Sequence, residues 1–555
     1  IHKSYYPEGL TKVWAYFTPR QSRISNIKSV VSFGIQGMIQ EYIINTFNKE
    51  FFSRPWEEVD REISHFLENT LDESYDTNAF KDLWVLGYLP IEIRLLVPEG
   101  EQCPIGCPLL EITNTHNDFV WVVNFLETLM STCLWHPITS ATIAYKHRET
   151  ADRYSRDEGL KSHKIPYLMG DFSMRGQTSI EASKRSSAAF LTSFYKTSCI
   201  PSIDYLEKYY NTSCKEEIVG LGGISTEHSI MCLLGQNEPK AIQKILDNTD
   251  DHETISIVSD TWDYWNMVTN IYPTFLETLE KRNITVNIRP DSGDPVKIIA
   301  GYKNIIEVNQ SSAEIFSIDL EEYDEDLFGY RIHGDILSYN KKYSSFDSLS
   351  DSDNCIKTSD NKYFKIVDVE YFYESLDSVV LQEIAEEEAL GSVETLFNII
   401  GGKINPHGFK LLPDQFKFIY GDSITPQRAE DIYKQLHKKK FSIENVTLCA
   451  GSYSLQYVTR DTFGFAQKIT AAIIDDKFVP VFKDPKTSDS TKKKSHKGLI
   501  KVDHDGLNYT WEDNNFIDFN ASKTIFRDGV LLNSTSLKEI RDNINSRINN
   551  LGKSF

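Results

Sequence analysis

The sequence has no run of apolar residues long enough for a membrane-spanning helix, although the chain has 555 residues. It also lacks an excess of positive charge, because 59 Lys and Arg residues stand against 80 Asp and Glu, a formal net charge of −21. A surface of that sign repels nucleic acid and anionic membranes. We therefore expect neither as a partner, and any local cluster of positive charge is informative.

Cysteine is sparse and scattered, with eight residues in the chain. Only Cys103 and Cys107 lie close together, in Cys-Pro-Ile-Gly-Cys-Pro, with no second pair and no His nearby in sequence. This motif is interpreted as a turn rather than a metal site. Unpaired thiols in so long a chain are typical of a reducing compartment, so we expect a cytoplasmic protein.

Hydrophobic residues (40%) and aromatic residues (12%) supply enough buried area for a folded enzyme. The chain is too long for one core, which predicts two large domains and an insertion. Residues 119–134 and 141–154 are predicted as two helices. Residues 303–392 are acidic and rich in Ser, Asp and Tyr, yet contain strand-like pieces, which predicts a folded insertion rather than a linker.

Between residues 165 and 470, short apolar strands end repeatedly in polar loops that contain Gly. This alternation of strands and loops is typical of a β/α barrel or a parallel sheet. In such folds the catalytic and binding residues lie in the loops at the carboxyl ends of the strands. The candidate loop residues are Asp260, Asp291, Asp422 and Ser452. Carboxylates in adjacent loops bind sugar hydroxyls or a hydrated Mg²⁺, whereas a single Asp in such a place can equally cap a helix.

The loop from Arg289 to Asp294 reads Arg-Pro-Asp-Ser-Gly-Asp. Ser292 and Gly293 can present backbone N–H groups to an anion, and Arg289 can contact two oxygens at once. Pro-Asp-x-Gly is also a common turn, so the loop alone leaves both interpretations open.

Residues 460–497 concentrate positive charge within an acidic protein. A Lys-rich loop suits a diphosphate, whereas the alternative interpretation is a solvated loop. The cations are Arg460, Lys468, Lys483, Lys486, Lys492, Lys493, Lys494 and Lys497.

His228 follows a Gly-rich segment and adjoins Glu227, which could orient its ring. A single His is often structural, so the pattern leaves a catalytic and a structural role open.

Ten strings in a fixed order along the chain resemble the nicotinamide phosphoribosyltransferase family, particularly its bacterial and phage branch. They are YPEGLTKVWAYF (6–17), LPIEI (89–93), DFSMRG (171–176), TEHS (226–229), VSD (258–260), IRPDSGDP (288–295), IYGDS (419–423), TRD (459–461), VFKDP (481–485) and KG (497–498). Only the 303–392 insertion interrupts the order.

The resemblance implies the α/β fold of a type II phosphoribosyltransferase, which works as a homodimer with active sites at the interface. It implies an α+β domain built from both chain ends, residues 1–150 with 470–555. Residues 151–302 with 393–469 would form the α/β barrel-like catalytic domain, and residues 303–392 the acidic insertion.

The implied reaction joins nicotinamide to PRPP and gives nicotinamide mononucleotide and pyrophosphate in NAD salvage. ATP would assist as a co-substrate by phosphorylating His228. Mg²⁺ would bind through the pyrophosphate rather than through protein ligands.

The resemblance also implies roles for individual residues. Phe172 would stack on the pyridine ring, Arg289 would contact its carboxamide, and Arg175 would lie beside the base and the phosphate. His228 and Asp291 form the catalytic set, and Asp291 with Asp422 would hold ribose hydroxyls. Further substrate-binding candidates are Ser198, Asp260, Ser292, Gly293, Gly421 and, for the 5′-phosphate, Gly451 and Ser452. The phosphate-binding candidates are Arg20, Arg460, Lys468, Lys483 and Lys493.

The sequence departs from the family pattern in three ways. The Asp-x-Tyr-Lys motif of the family would lie upstream of Ile1. Ser198 stands where the family has an Asp that excludes nicotinate by charge, so nicotinate is an alternative base. The insertion follows the Arg289 loop and could admit ADP-ribose pyrophosphate as an alternative donor, giving NAD directly, or it could be a surface elaboration. An alternative outside the enzymes is a non-catalytic binding protein. The presence of both His228 and Asp291 argues against it.

Overall fold

The computed structural model describes residues 5–71, 76–316, 330–333, 352–372, 375–483, 496–502, 509–512 and 523–551. The acidic run 321–326 and the cations Lys486, Lys492, Lys493 and Lys494 lie outside these residues. The chain divides into two compact units. Unit 1 comprises Ile1–Glu149, Asp171–Leu221 and Gly451–Phe555, and unit 2 comprises Thr150–Gly170 and Gly222–Ala450.

The described strands are, in chain order, β1 (Leu10–Thr18), β2 (Ser29–Val31), β3 (Ile91–Leu95), β4 (Gln102–Pro104), β5 (Leu110–Asn114), β6 (Met169–Asp171), β7 (Lys196–Thr197), β8 (Ile224–Ser225), β9 (Thr254–Val258), β10 (Thr285–Arg289), β11 (Asn304–Glu307), β12 (Tyr330–His333), β13 (Asn354–Lys357), β14 (Tyr363–Phe372), β15 (Ser375–Ile384), β16 (Lys403–Ile404), β17 (Lys410–Leu411), β18 (Phe416–Tyr420), β19 (Val446–Ala450), β20 (Ala466–Ile474), β21 (Lys477–Pro480), β22 (Leu499–Val502), β23 (Tyr509–Glu512), β24 (Lys523–Arg527) and β25 (Val530–Leu531).

The described α-helices are α1 (Ile35–Met38), α2 (Trp56–Leu71), α3 (Asn78–Leu86), α4 (Val120–Phe125), α5 (Glu127–Asp157), α6 (Ile180–Phe190), α7 (Ile200–Tyr209), α8 (His228–Leu234), α9 (Glu238–Asp247), α10 (Tyr264–Asn266), α11 (Tyr272–Arg282), α12 (Pro295–Ala300), α13 (Ser312–Phe316), α14 (Glu386–Leu390), α15 (Ser392–Ile400), α16 (Pro426–Lys438), α17 (Ser452–Leu455) and α18 (Leu537–Leu551). None of the helices in the described residues is both long enough and apolar enough to cross a membrane.

Unit 1 contains an antiparallel sheet in the strand order β21-β20-β1-β5-β3-β24-β25, drawn from both chain ends. Residues 13–17 of β1 are buried on both faces of the sheet. Phe17 stacks on Phe465 with a centroid distance of 5.4 Å. The register pairs Tyr16 with Lys468, so the end of β1 and the start of β20 lie side by side.

Unit 2 contains the parallel part of the fold, with neighbouring strands in the order β6-β19-β18-β10-β9-β8. The pairs β8/β9, β9/β10, β10/β18 and β18/β19 are parallel. Val286, Ile288 and Phe418 are fully buried, as in parallel strands covered on both faces. The strand and loop pattern predicted an α/β fold with a β/α barrel or a parallel sheet. The α/β class is confirmed, and the parallel strands form a half-barrel sheet.

The described strands of residues 303–392 form a sheet of their own within unit 2, in the order β11-β13-β14-β15-β12. Its apolar cluster includes Tyr302, Cys355, Tyr363 and Ile384. The residue bounds predicted for the domains stay a prediction.

Candidate active site

The loops that follow β8, β9, β10 and β18 carry the predicted polar residues of unit 2. Because these strands are parallel, their carboxyl ends meet at one edge of the sheet. Thr226 anchors the first of these loops, since its Oγ1 accepts a 2.9 Å hydrogen bond from the N–H of Val258 in β9. His228 follows as the first residue of α8.

His228 lies between two carboxylates from neighbouring loops. Its Nε2 is 3.5 Å from Asp291 Oδ2 and 3.8 Å from Asp260 Oδ1, and its Nδ1 is 3.3 Å from Thr261 Oγ1. The side chain of His228 is 45% exposed, whereas those of Asp260 and Asp291 are 5% and 17% exposed. The imidazole ring is therefore accessible from solvent, while its Nε2 faces two less exposed carboxylates. The carboxylates that face Nε2 are Asp260 and Asp291, and an orienting role for Glu227 stays a prediction.

Asp260 ties the loop after β9 to the loop after β10. Its Oδ2 accepts hydrogen bonds from the backbone N–H of Asp291 (2.9 Å) and from Ser292 Oγ (2.6 Å). Its Oδ1 is buried and has no hydrogen-bond partner among the described residues. A buried carboxylate oxygen in that state is suited to accept from a ligand or from a cation's water.

Asp291 contacts Arg289 through its other oxygen. Arg289 Nη2 lies 3.0 Å from Asp291 Oδ1, and the Arg289 side chain is 8% exposed. Asp291 therefore lies between a buried guanidinium and the imidazole of His228. The residue of this loop that caps a helix is Asp294, not Asp291. Its Oδ1 accepts hydrogen bonds from the N–H groups of Val296 and Lys297 at the start of α12.

Tyr420, the last residue of β18, supports the same edge of the sheet. Its hydroxyl donates to the backbone carbonyls of Ser292 (3.2 Å) and Gly293 (3.0 Å). Gly293 has φ +86°, a left-handed conformation that a side chain would strain. Burial raises the pKa of Tyr420 well above its usual value, and the Asp422 carboxylate raises it further. Gly421 and Asp422 follow directly in this loop.

In unit 1, Asp171 organises the loops that carry Phe172 and Ser198. Its Oδ1 accepts from the N–H (3.0 Å) and hydroxyl (2.6 Å) of Ser173, and its Oδ2 accepts from Thr197 Oγ1 (3.0 Å). Ser198 donates its N–H (2.9 Å) and its hydroxyl (3.2 Å) to the carbonyl of Asp171. The sequence patterns did not identify Asp171 as a site residue, although Asp171 begins the DFSMRG motif.

The loop with Arg175 packs directly on the loop with Gly451 and Ser452. A Cβ on Gly176 would lie 2.2 Å from Ser452 Oγ. Arg175 is exposed in the turn Met174–Gly176, and Gly451 precedes α17. The candidates for the base and for the 5′-phosphate within unit 1 are therefore neighbours.

Three predicted phosphate-binding cations of unit 1 lie near the ends of β1 and β20. Arg20 Nε donates to the carbonyl of Gly464 (2.9 Å), and both burial and the nearby Arg460 lower the pKa of Arg20. Arg460 pairs with Asp461 (3.1 Å) and Lys468 with Glu127 (2.6 Å). Lys483 is exposed at the end of a described segment. Lys493 lies outside the described residues.

A sequence profile described as the nicotinate phosphoribosyltransferase (NAPRTase) family matches residues 167–346 and 391–529. A nicotinamide phosphoribosyltransferase of Acinetobacter baylyi is 31% identical over 98% of this chain and 94% of its own length. One of Xanthomonas campestris pv. campestris is 23% identical over 97% of this chain and 95% of its own. The crystal structure of human nicotinic acid phosphoribosyltransferase aligns with 52% of this chain and 58% of that chain, with a TM-score of 0.36 and 16% identity.

Proposed function

Because this chain belongs to the nicotinate phosphoribosyltransferase family and is a pentosyltransferase of NAD salvage, we propose that it joins nicotinamide to PRPP. The resemblance and the enzyme class predicted from the sequence are confirmed. The proposed products are nicotinamide mononucleotide and pyrophosphate. The observation that carries the proposal is the Asp291 carboxylate shared by Arg289 and His228, in a chain 31% identical to a nicotinamide phosphoribosyltransferase along nearly its full length.

In the proposed reaction the pyridine nitrogen forms a bond to ribose C1 as the bond from C1 to the pyrophosphate oxygen breaks. The nitrogen attacks with its own lone pair, so no strong base is needed. Catalysis then consists of positioning the reactants and stabilising the charge on the sugar and the leaving group.

The proposed base-binding residues are Phe172 as the stacking surface, Arg175 and Ser198 beside it, and Arg289 toward the carboxamide. Asp291 and Asp422 hold ribose hydroxyls, with Asp260, Ser292, Gly293 and Gly421 shaping the same loops. Gly451 and Ser452 bind the 5′-phosphate. The cations that gather the phosphates are Arg20, Arg460, Lys468, Lys483 and Lys493.

His228 is the proposed acceptor of a phosphoryl group from ATP. Its exposed ring and the two carboxylates at 3.5 and 3.8 Å support this role, because they fix the ring orientation while leaving it accessible. Among the described residues, no three His, Cys, Asp or Glu side chains are grouped so that they could hold a metal ion. The buried Asp260 Oδ1 fits a water of a Mg²⁺ carried by the pyrophosphate, and that ion would neutralise leaving-group charge.

We also propose a cytoplasmic homodimer. The sequence resemblance supports the dimer, and the eight free cysteines support a reducing compartment.

The test is to incubate the enzyme with nicotinamide or nicotinate, crossed with PRPP or ADP-ribose pyrophosphate, and to identify products by mass. We expect nicotinamide mononucleotide from nicotinamide and PRPP, with faster turnover when ATP is present. Asp291→Asn protein purified in parallel is the control for contaminating activity. Turnover with ADP-ribose pyrophosphate alone, or pyridine binding without product, would contradict the proposal.

A further inference from the structure

The carboxyl-terminal helix α18 places one buried arginine against the segment that carries Ser198. Arg541 is 8% exposed and lies within unit 1. Its Nε and Nη2 donate to the carbonyl of Leu191 at 3.1 and 2.9 Å. The same guanidinium donates to the carbonyls of Ile218 (2.5 Å) and Val219 (2.9 Å). One planar group thus joins two chain segments that are well separated in sequence.

Those two segments continue into a bridge that precedes Ser198, a proposed base-binding residue. Lys196 and Leu221 form a parallel bridge, in which the Leu221 N–H donates to the Tyr195 carbonyl (2.7 Å) and the Thr197 N–H donates to the Leu221 carbonyl (2.9 Å). The guanidinium carbon of Arg541 also lies 4.7 Å from the Tyr195 ring centroid. Arg541 therefore contacts both segments just before the bridge in sequence, and Ser198 follows directly after it.

A second arginine strengthens the attachment of this segment to α18. Arg148 of α5 donates to the carbonyl of Ser193 (2.8 Å) and to Asn545 Oδ1 (3.1 Å). The segment 191–198 is therefore tied to α18 at two points, and its far end is fixed by the Thr197 hydroxyl on Asp171.

We infer that Arg541 is a positioning residue for the pyridine base, which acts by holding the 191–198 segment so that Ser198 keeps its place beside Phe172. The inference rests on the proposed function for the identity of the ligand. Arginine suits the task because its rigid fork donates to several carbonyls at once, and a lysine ammonium cannot reach both segments in the same way. Loosening the segment displaces a binding group without touching the phosphate-binding cations, so the base is affected and the donor is not.

The test compares Arg541→Met and Arg541→Lys with wild-type enzyme in steady-state kinetics. For Arg541→Met we expect KM for nicotinamide to rise about tenfold, with KM for PRPP and kcat changed less than about threefold. Arg541→Lys should show a smaller rise in the same constant. Lys538→Ala is the matched control, because Lys538 lies on the same helix and pairs with exposed Asp542 at 3.1 Å. Unchanged KM for nicotinamide in Arg541→Met, or an equal rise for both substrates, would overturn the inference.

Hydrogen exchange read by mass spectrometry decides the same question without turnover. The amides of Thr197, Ser198 and Leu221 should lose protection from exchange in Arg541→Lys. This variant retains the positive charge, so it can be measured even if Arg541→Met does not fold. Protection unchanged at all three amides would overturn the inference. If wild-type enzyme fails to use nicotinamide, the proposed function falls, and the exchange measurement still decides whether Arg541 holds the segment.

Discussion

The partly buried Asp291 of unit 2 and the buried carboxylates of unit 1 differ in the groups that face them. In unit 2, Asp291 lies 3.0 Å from the Arg289 guanidinium and 3.5 Å from the His228 imidazole. In unit 1, Glu99 is 2% exposed and accepts a 2.8 Å hydrogen bond from the backbone N–H of Gln36. Burial raises the pKa of Glu99 to about 7. Glu111 is similar, because it accepts from the Tyr16 hydroxyl (2.5 Å) and burial raises its pKa.

This difference shows what a cationic partner does for a buried acid. A carboxylate that faces a guanidinium has its charge compensated inside the protein and can act on a ligand. A carboxyl group whose hydrogen bonds come from neutral donors takes up a proton more readily, and it serves the packing of the fold. Burial alone therefore does not identify a functional acid, and the groups that face it must be considered as well.

Asp291→Asn removes the charge that Arg289 and His228 share, and it should have the largest effect. We expect kcat/KM to fall about a thousandfold, because the substitution takes the carboxylate away from a buried guanidinium and weakens a ribose contact. Asp294→Asn is the control, since Asp294 caps α12, a role that Asn also fills, and kcat/KM should change little. A fall of less than about tenfold would contradict the comparison.

Glu99→Gln tests the other side of the comparison through stability. The folded pKa of about 7 lies above the ordinary value of 4.5, so Glu99 stabilises the fold fully below pH 4.5 and loses that contribution as the pH rises through 7. The loss above pH 7 amounts to about 3 kcal/mol, and a neutral Gln avoids it. Urea unfolding at pH 5 and pH 8 should show the variant more stable than wild type only at pH 8. A difference in the free energy of unfolding between variant and wild type that is the same at both pH values would refute this.

His228→Ala should abolish the stimulation of turnover by ATP, a loss of about tenfold, while leaving slow ATP-independent synthesis. Thr261→Ala provides the control, because it removes only the 3.3 Å contact at Nδ1 and should retain most of the stimulation. The measurement is the ratio of initial rates with and without ATP. If that ratio survives in His228→Ala, the proposed role of His228 is wrong.

Lys468→Ala should have the smallest effect, because the Lys468 side chain is 45% exposed and its ammonium already pairs with Glu127. We expect KM for PRPP to rise about threefold, and less at high salt, since exposed charges are screened. Glu127→Gln frees the same ammonium and should lower KM for PRPP slightly. An effect of Lys468→Ala as large as that of Asp291→Asn would remove the contrast between exposed and buried charges.

Several features could be predicted from the sequence because they are local. The apolar strands before Asp260, Asp291 and Asp422 are where they were expected, since alternating strand and loop composition is visible without the fold. The helices expected at 119–134 and 141–154 are instead α4 and the single helix α5, which continues through Pro137. Proline inside a helix removes a backbone hydrogen bond, but tertiary packing outweighs this cost. Pro137 packs against Gly34.

The family, the α/β class and the polar residues at the strand ends, including His228, follow from the amino-acid order alone. Which groups face each other depends on the folded chain: Asp260 and Asp291 face His228, Asp294 rather than Asp291 caps a helix, and Asp171 organises the Ser198 loop. The physical reason is that hydrogen bonds and ion pairs depend on ångström distances between residues far apart in sequence. The hydrogen bond from Arg541 to Leu191 crosses 350 positions, and no local pattern records it.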